Sequence, residues 1–174
     1  MPSSIFHLPS SLAIVALGSN LGDSRRIILE AMARLQKLSG RPLLKSSLWQ
    51  TTPVNCPPGS PLFVNAVVGF APQKNETPES LLQKLRALEK EFGRARGLVL
   101  NEPRILDLDL IAFGTETRNS PGLILPHPRA HLRRFVLQPL SEIAPDIILP
   151  GQSKTVSQLL AGLPETEKVT RLAL

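Results

Sequence analysis

The chain has 174 residues, of which 42% are apolar and 20% charged, a balance typical of one compact domain with a substantial core. No apolar run is long enough to span a bilayer as a helix. The formal net charge of +6 favours an anionic partner, namely nucleic acid, an acidic membrane face or a small polyphosphate, although a basic surface can also simply be solvated.

The first half of the chain predicts a strand, a helix and a further strand. Residues 12–17 form a continuous apolar run, and Asp23 is placed to cap the helix that follows. Gly40 is predicted to end that helix in a left-handed conformation. Residues 43–50 read as a weaker strand, and the four prolines within 51–61 predict a stiff loop.

The next segment repeats the pattern. Residues 62–70 have the strongest strand composition in the chain. Thr77 and Pro78 mark the start of a second helix, and Gly93 marks its end. Residues 105–113 predict another strand.

The resulting order, β-α-β-β-α-β, predicts an α/β protein of the α+β type with a ferredoxin-like antiparallel sheet. Two main helices are expected on one face, followed by a C-terminal extension that ends in a short helix near 154–161. We expect a single domain over residues 1–174, in which residues 1–11 form a loose N-terminal extension.

The cysteine content bears on compartment and disulfides. Cys56 is the single cysteine, which excludes an internal disulfide and a Cys-rich zinc site and favours a reducing compartment. A signal peptide is not expected, because residues 1–10 have no basic start. The expected location is the cytoplasm.

The segment 104–111, "RILDLDLI", carries the clearest candidate chemistry. In a strand, Asp107 and Asp109 share one face, with their α-carbons about 6–7 Å apart. Such a pair can be a solvated polar face, yet aspartate disfavours strands and two close carboxylates repel each other unless a cation lies between them. Mg²⁺ is the natural candidate, because it takes carboxylate oxygens together with substrate phosphates.

Arginines flank this acidic pair. Arg94 and Arg96 follow the second predicted helix, Arg104 precedes the acidic strand, and Arg133 and Arg134 lie in the tail. Guanidinium groups clamp phosphate oxygens, so acidic metal ligands with arginines are typical of phosphoryl-transfer sites.

Three further residues could recognise a ligand. His127 is a candidate hydrogen-bond donor to phosphate; zinc binding by His127 and His131 is disfavoured, because neighbouring prolines interrupt a helix there. Phe63 and Phe135 could stack on a planar ring or simply pack in the core. Asn65, in mid-strand, can donate and accept at once, as recognition of a heterocycle edge requires.

Five motifs together resemble the 6-hydroxymethyl-7,8-dihydropterin pyrophosphokinase family. In order they are "ALGSNLGD", "TTPVN…PLFVNAVVGF", "LEKEFGRAR", "PRILDLDLIAFG" and "LPHPRAHLRRFVLQPLSEIAPD". The resemblance extends from about residue 12 to 150. It implies a ferredoxin-like core and transfer of pyrophosphate from ATP to the pterin hydroxymethyl oxygen, with release of AMP, in folate biosynthesis.

The resemblance also implies site residues. Two Mg²⁺ ions would bridge the triphosphate and the acidic pair Asp107 and Asp109, and the catalytic set would be this pair with Arg94 and Arg96. ATP contacts would come from Glu89, Arg94, Arg96, Arg104, Asp107, Asp109, His127 and Arg133. The pterin would lie between Phe63 and Phe135, near Asp107, with its edge read by Asn65 and the main chain near Thr51 and Val54.

Three positions depart from the family pattern. Asn101 stands where members often carry tryptophan, Gly97 where a basic residue is common, and Pro128 where some have tyrosine. We expect the same reaction, with altered loop kinetics. The small-molecule partners would be ATP and the pterin, with no nucleic acid, no membrane and a monomeric state.

A second hypothesis is a non-catalytic RNA-binding module, because ferredoxin-like sheets often bind single strands. The sequence argues against it, since it lacks the aromatic sheet-surface motif on which such modules stack bases. A carboxylate pair on the sheet would also repel phosphate.

Overall fold

A six-stranded sheet forms the centre of the protein. The computed structural model describes residues 6–7, 9–93 and 101–173. The sheet contains β2 (Ala13–Ser19), β3 (Leu44–Lys45), β4 (Trp49–Thr51), β5 (Phe63–Phe70), β6 (Asp107–Phe113) and β10 (Val169–Arg171). Its order is β10-β4-β5-β2-β6, with β3 also paired to β5, and all neighbours are antiparallel. The predicted antiparallel, ferredoxin-like α+β fold is confirmed.

Two helices cover one face of this sheet, as predicted. They are α1 (Ser24–Gln36) and α2 (Pro78–Glu91). Asp23 caps α1 by accepting a hydrogen bond from the Arg26 amide, and Thr77 caps α2 through the Ser80 amide. Apolar residues of both helices pack on every second residue of β2, namely Ala13, Val15 and Leu17.

A third helix covers the opposite face, and the sequence interpretation missed it. It is α3 (Arg134–Ile143), and it packs with the short α4 (Val156–Ala161). Ile14 of β2 and Val67 of β5 meet Leu137 and Leu140 of α3 in a second apolar cluster. The expectation of two helices on one face is therefore correct but incomplete, because α3 of the C-terminal extension covers the other face.

Smaller elements lie around the sheet. They are β1 (Phe6–His7), β7 (Arg118–Ser120), β8 (Leu123–Leu125), β9 (Ile147–Ile148) and a 3₁₀ turn at Ala130–Leu132. β1 pairs with β9 in parallel, so these two residues of the expected loose extension are held by backbone hydrogen bonds. β7 and β8 form a hairpin.

The end of α1 also differs from expectation. The helix ends at Gln36, and Gly40 has no positive φ; instead its amide donates to the carbonyl of Ala71 at 3.0 Å. Gly93, by contrast, has a φ of +85° just after α2, as predicted. Among the described residues, no helix has the length and apolar character needed to cross a membrane.

Candidate active site

The strand register brings the acidic pair and Asn65 onto the sheet face that carries α3. Asp107 is opposite Gly18, which in turn is opposite Asn65, and Asp109 is opposite Ala16. Ala16 packs on the α3 cluster, so these side chains point to that face. Along β6, Leu108 and Leu110 point the other way into the α1–α2 core, as the alternation predicts.

Gly18 keeps the floor between Asp107 and Asn65 open. A β-carbon at this position would lie 3.0 Å from Asn65 Oδ1, which is closer than side chains normally approach. The glycine therefore leaves room for a flat ligand to reach the Asn65 amide.

A cavity of about 390 Å³ lies over this part of the sheet. It brings together Phe63 from β5 and Phe135 from α3, both only partly buried. The predicted site residues that line it are Thr51, Val54, Phe63, Asn65, Arg104, Asp107, Asp109, His127, Arg133 and Phe135. These residues come from five separate stretches of sequence, and the fold places them around one space.

Two arginines connect the acidic pair to the aromatic rings. Arg104 Nη1 donates to Asp107 Oδ2 at 2.9 Å, and its guanidinium lies 5.9 Å from the Phe63 ring centroid. Arg133 lies 5.4 Å from the Phe135 centroid, and its Nη1 is 3.8 Å from Asp109 Oδ2. Each phenylalanine ring thus lies beside an arginine that also faces a carboxylate.

Burial lowers the pKa of Arg133, and the nearby Asp109 carboxylate opposes this shift. The neighbouring Arg129 adds to the lowering, because two cations close together repel each other. A second anionic group, such as a phosphate, would stabilise the charged form of Arg133 further.

His127 is neutral at pH 7. Burial lowers its pKa to about 4, with a further contribution from the positive charges of Arg133 and Arg129. Its Nδ1 accepts a hydrogen bond from the Arg129 amide at 3.2 Å, which places the remaining proton on Nε2. Its own amide donates to the Ile111 carbonyl at 2.8 Å, so the residue is tied to β6. His127 can therefore donate one neutral N–H into the cavity.

Glu89 contacts the acidic strand from the other side. Its carboxylate is buried and accepts the Leu108 amide at 2.7 Å, at the outer edge of β6. A second cavity next to it is lined by Glu89, Arg86 and Lys90, and also by Asp107 and Asp109. The acidic pair therefore lies between two cavities, one bordered by the aromatic residues and one by α2.

Asn20 links two segments that are far apart in the chain. Its Oδ1 accepts the Arg104 amide at 2.8 Å, its own amide donates to the Arg104 carbonyl at 3.1 Å, and its Nδ2 donates to the Pro61 carbonyl at 3.3 Å. Asn20 thereby fixes the start of the acidic strand against the proline-rich loop.

Asn101, one of the departures from the family pattern, takes part in a comparable link. Its Nδ2 donates to the Asn55 carbonyl at 2.8 Å, and both residues have positive φ. Gly97, Arg94 and Arg96 lie outside the described residues, so the expectations for them stay predictions.

Several cavity residues were missed by the sequence analysis. They are Ala16, Leu17, Gly18, Thr52, Asn55, Cys56, Arg129, Leu132 and Glu167. Thr52 and Asn55 neighbour predicted residues and could have been included with them. Glu167 had no sequence signal, because only the pairing of the C-terminal strand with β4 carries it to the cavity.

The donor set suits Mg²⁺ better than zinc. Among the described residues, no group of three or more histidines, cysteines and carboxylates could hold a metal ion. Two carboxylates on one strand face leave the remaining coordination positions to water and substrate oxygens, which is the arrangement that Mg²⁺ favours.

Carboxylates beside arginines, on the edge strand of an antiparallel sheet and in one cavity with the rings of Phe63 and Phe135, define the class of the protein: a phosphoryl-transfer enzyme with a ferredoxin-like fold. Residues 14–145 match the family described as 7,8-dihydro-6-hydroxymethylpterin-pyrophosphokinase (HPPK). The chain belongs to this family.

Relatives of known name agree with this assignment. The chain is 39% identical to a 2-amino-4-hydroxy-6-hydroxymethyldihydropteridine pyrophosphokinase of Synechocystis, covering 85% of this chain and 74% of the relative. It is 40% identical to the protein of the same name in Pseudomonas aeruginosa, covering 86% and 90%. It also matches the folic acid synthesis protein fol1 of Pneumocystis carinii at 39% identity, covering 78% of this chain and 18% of that protein.

Solved structures share the fold. The wild-type Plasmodium falciparum HPPK-DHPS crystal structure with pteroate superposes with a TM-score of 0.66 at 15% identity. The match covers 86% of this chain and 42% of that one, so this chain corresponds to less than half of it.

Proposed function

We propose that this protein transfers the pyrophosphate group of ATP to the hydroxymethyl oxygen of 6-hydroxymethyl-7,8-dihydropterin, a step of folate synthesis. The observation that carries the proposal is the juxtaposition of the Asp107–Asp109 pair with the slot between Phe63 and Phe135, in one cavity of a family member. Family membership does not favour the alternative of an RNA-binding module.

The aromatic slot supports binding of a flat heterocycle. Phe63 and Phe135 would stack on its two faces. Asn65 Nδ2 donates to Thr51 Oγ1 at 2.6 Å, which orients the buried amide and directs its Oδ1 toward the open floor at Gly18. The amide oxygen and the main chain near Thr51 and Val54 would then read the donors and acceptors of the pterin edge.

The acidic pair supports binding of the triphosphate through metal. Asp107 and Asp109 would hold two Mg²⁺ ions, which when bound neutralise charge on ATP and polarise the attacked phosphorus. Arg104 and Arg133 already face these carboxylates. They can turn to phosphate oxygens when metal takes the carboxylate charge, and His127 can donate its Nε2–H to another oxygen.

The reaction is a displacement at phosphorus. The pterin hydroxyl oxygen forms a bond to the β-phosphorus, the bond from that phosphorus to the α,β-bridging oxygen breaks, and AMP leaves with that oxygen. The hydroxyl proton is released. Arg94 and Arg96 remain candidates for stabilising charge in this step, as the family resemblance implies.

The remaining expectations belong to the same proposal. We infer that ATP and the pterin are the partners and that the protein is a monomer that binds neither nucleic acid nor membranes. We also infer one domain over 1–174. Its single cysteine supports action in the reducing cytoplasm.

One experiment tests the reaction directly. The purified protein is mixed with ATP, Mg²⁺ and 6-hydroxymethyl-7,8-dihydropterin, and the nucleotide products are separated by chromatography. We expect AMP and the pterin diphosphate in equal amounts, and no product when EDTA removes the metal. Formation of ADP in place of AMP would contradict the proposed transfer.

A further inference from the structure

Glu167 reaches the cavity from outside the region that matches the family. The match ends at residue 145, whereas Glu167 lies in the segment that leads into β10. Val169 of β10 is opposite Thr51 of β4, and the Thr52 amide donates to the Lys168 carbonyl at 3.2 Å. This pairing places Glu167 next to the segment proposed to read the pterin edge, where it lines the cavity.

The carboxylate of Glu167 has an unsatisfied buried atom. In the described part of the chain, three buried side-chain atoms have no hydrogen-bond partner: Trp49 Nε1, Arg134 Nε and Glu167 Oε2. Of these three residues, only Glu167 lines the cavity. A buried carboxylate oxygen without a donor is costly, and a donor brought by a ligand would remove that cost.

The sheet order sets which end of the ligand Glu167 meets. In the order β10-β4-β5-β2-β6, the segment of Glu167 lies at one end, and Asp107 and Asp109 lie on the strand at the other end. In the substrate, the 6-hydroxymethyl group and the 2-amino group are at opposite ends of the bicyclic ring. If the hydroxymethyl group lies at the acidic pair, the amino end therefore points toward β4 and Glu167.

We propose that Glu167 is a specificity-determining residue that accepts hydrogen bonds from the amino-pyrimidinone edge of the substrate, the 2-amino group and the N3–H. The inference rests on the proposed function, because that function supplies both the substrate and its orientation. An ionised carboxylate accepts from two adjacent N–H donors with matched geometry. It rejects a ring that carries an oxo group in place of the amino group.

Glu167 also acts on a cation of the candidate site. The carboxylate acts on Arg133, whose positive charge it stabilises. Arg133 also faces Asp109, so Glu167 is a second carboxylate within its electrostatic reach. A competing role for Glu167 is thus to position Arg133, and the experiment has to separate the two roles.

The test combines variants with ligand analogues. Equilibrium binding of the 7,8-dihydropterin and of its 2-oxo analogue, which lacks the amino group, is measured for the wild type, Glu167→Ala and Glu167→Gln. We expect Glu167→Ala to weaken dihydropterin binding by about tenfold or more and to strengthen binding of the 2-oxo analogue, because the repulsion between the carboxylate and the oxo group is removed. The KM for ATP and kcat should stay within about threefold. Glu165→Ala, which removes an exposed charge from the same segment, is the matched control and should match the wild type.

Two results would overturn the inference. One is an unchanged dihydropterin Kd in both variants, with thermal unfolding showing that they are folded. The other is a fall in kcat at unchanged Kd, which would make Glu167 a positioning residue for Arg133. Because binding is measured without turnover, a wild type that binds dihydropterin through Glu167 but forms no AMP would refute the proposed function and leave this inference standing.

Discussion

Arg104 and Asp107 form an ion pair that links the acidic pair to the ring of Phe63. The guanidinium donates to the carboxylate at 2.9 Å while lying 5.9 Å from the centroid of Phe63. The Asn20 side chain holds the Arg104 amide at 2.8 Å, so the backbone beneath this contact is fixed as well. A change at Asp107 is therefore transmitted to Phe63 through the Arg104 side chain.

The first prediction concerns the charge of Asp109. The substitution Asp109→Asn keeps the volume and removes the carboxylate that would hold metal, so we expect kcat to fall by at least about 100-fold. The free energy of unfolding should change by less than about 1 kcal/mol, because Asp109 is only partly buried. Steady-state kinetics across a Mg²⁺ titration and urea unfolding measure the two quantities.

Asp146→Asn is the control for that prediction. Asp146 is an exposed aspartate outside the cavity, and its substitution makes the same chemical change. Its kinetics should equal those of the wild type. If Asp109→Asn retains a rate within threefold of the wild type, the metal-binding role of Asp109 is wrong.

The second prediction separates the charge of Arg104 from its shape. Arg104→Lys keeps one positive charge but loses the planar group that faces both Phe63 and Asp107. We expect the KM for the pterin to rise about three- to tenfold, together with a fall in kcat. Arg41→Lys, at an exposed arginine, makes the same exchange away from the cavity and should change neither constant. Equal kinetics for Arg104→Lys and the wild type would show that a point charge suffices.

The third prediction concerns the open floor at Gly18. In Gly18→Ala the new methyl group would lie 3.0 Å from Asn65 Oδ1, so either the amide or the strand has to shift. We expect pterin binding to weaken by about tenfold, with a loss of about 1 kcal/mol in the free energy of unfolding. Isothermal titration and urea unfolding report these separately.

Gly40→Ala provides the matched comparison. A β-carbon on Gly40 would meet no atom within 4 Å, and its φ is not positive. This variant should bind the pterin as the wild type does. Equal pterin affinity in Gly18→Ala and Gly40→Ala would mean that Asn65 adapts and that the floor is not limiting.

The local patterns of the sequence were sufficient to predict β2, β5 and β6, the first two helices and the acidic pair. Alternation along 105–113 predicted which residues of β6 face the core, because a strand has a period of two wherever it pairs regularly. The helix caps at Asp23 and Thr77 followed from side-chain oxygens at the right offset from an apolar stripe. These features depend on neighbours in the chain.

The missed features depend on residues far apart in the chain. Pro139 lies inside α3, and a proline in a helix interior is unfavourable, so the sequence did not indicate a helix there. The helix is stabilised by burial of Leu137 and Leu140 on the sheet. Glu167 reaches the cavity only because β10 pairs with β4, more than one hundred residues earlier. The periodicity of a single sequence contains no information on the pairing of β10 with β4 or on the packing of α3 against the sheet.

The fourth prediction concerns the dependence of stability on pH. Burial and two nearby arginines lower the pKa of His127 from 6.5 to about 4, so the folded protein favours the neutral imidazole. The stabilisation is present in full above about pH 6.5 and is lost as the pH falls toward 4, since the unfolded chain then binds a proton that the folded protein does not. Because the side chain is partly exposed, we expect the wild type to lose about 2 kcal/mol from this residue between pH 7 and pH 4.5.

His127→Gln isolates this contribution, because glutamine keeps a hydrogen-bond donor and acceptor but does not titrate in this range. The free energy of unfolding is measured in urea at pH 7 and pH 4.5 for both proteins. On acidification from pH 7 to pH 4.5, the free energy of unfolding of the wild type should fall by about 2 kcal/mol more than that of the variant. Parallel pH dependences of the two proteins would show that His127 is protonated in the folded state as readily as in the unfolded one. That outcome would also remove its assignment as a neutral Nε2–H donor to phosphate.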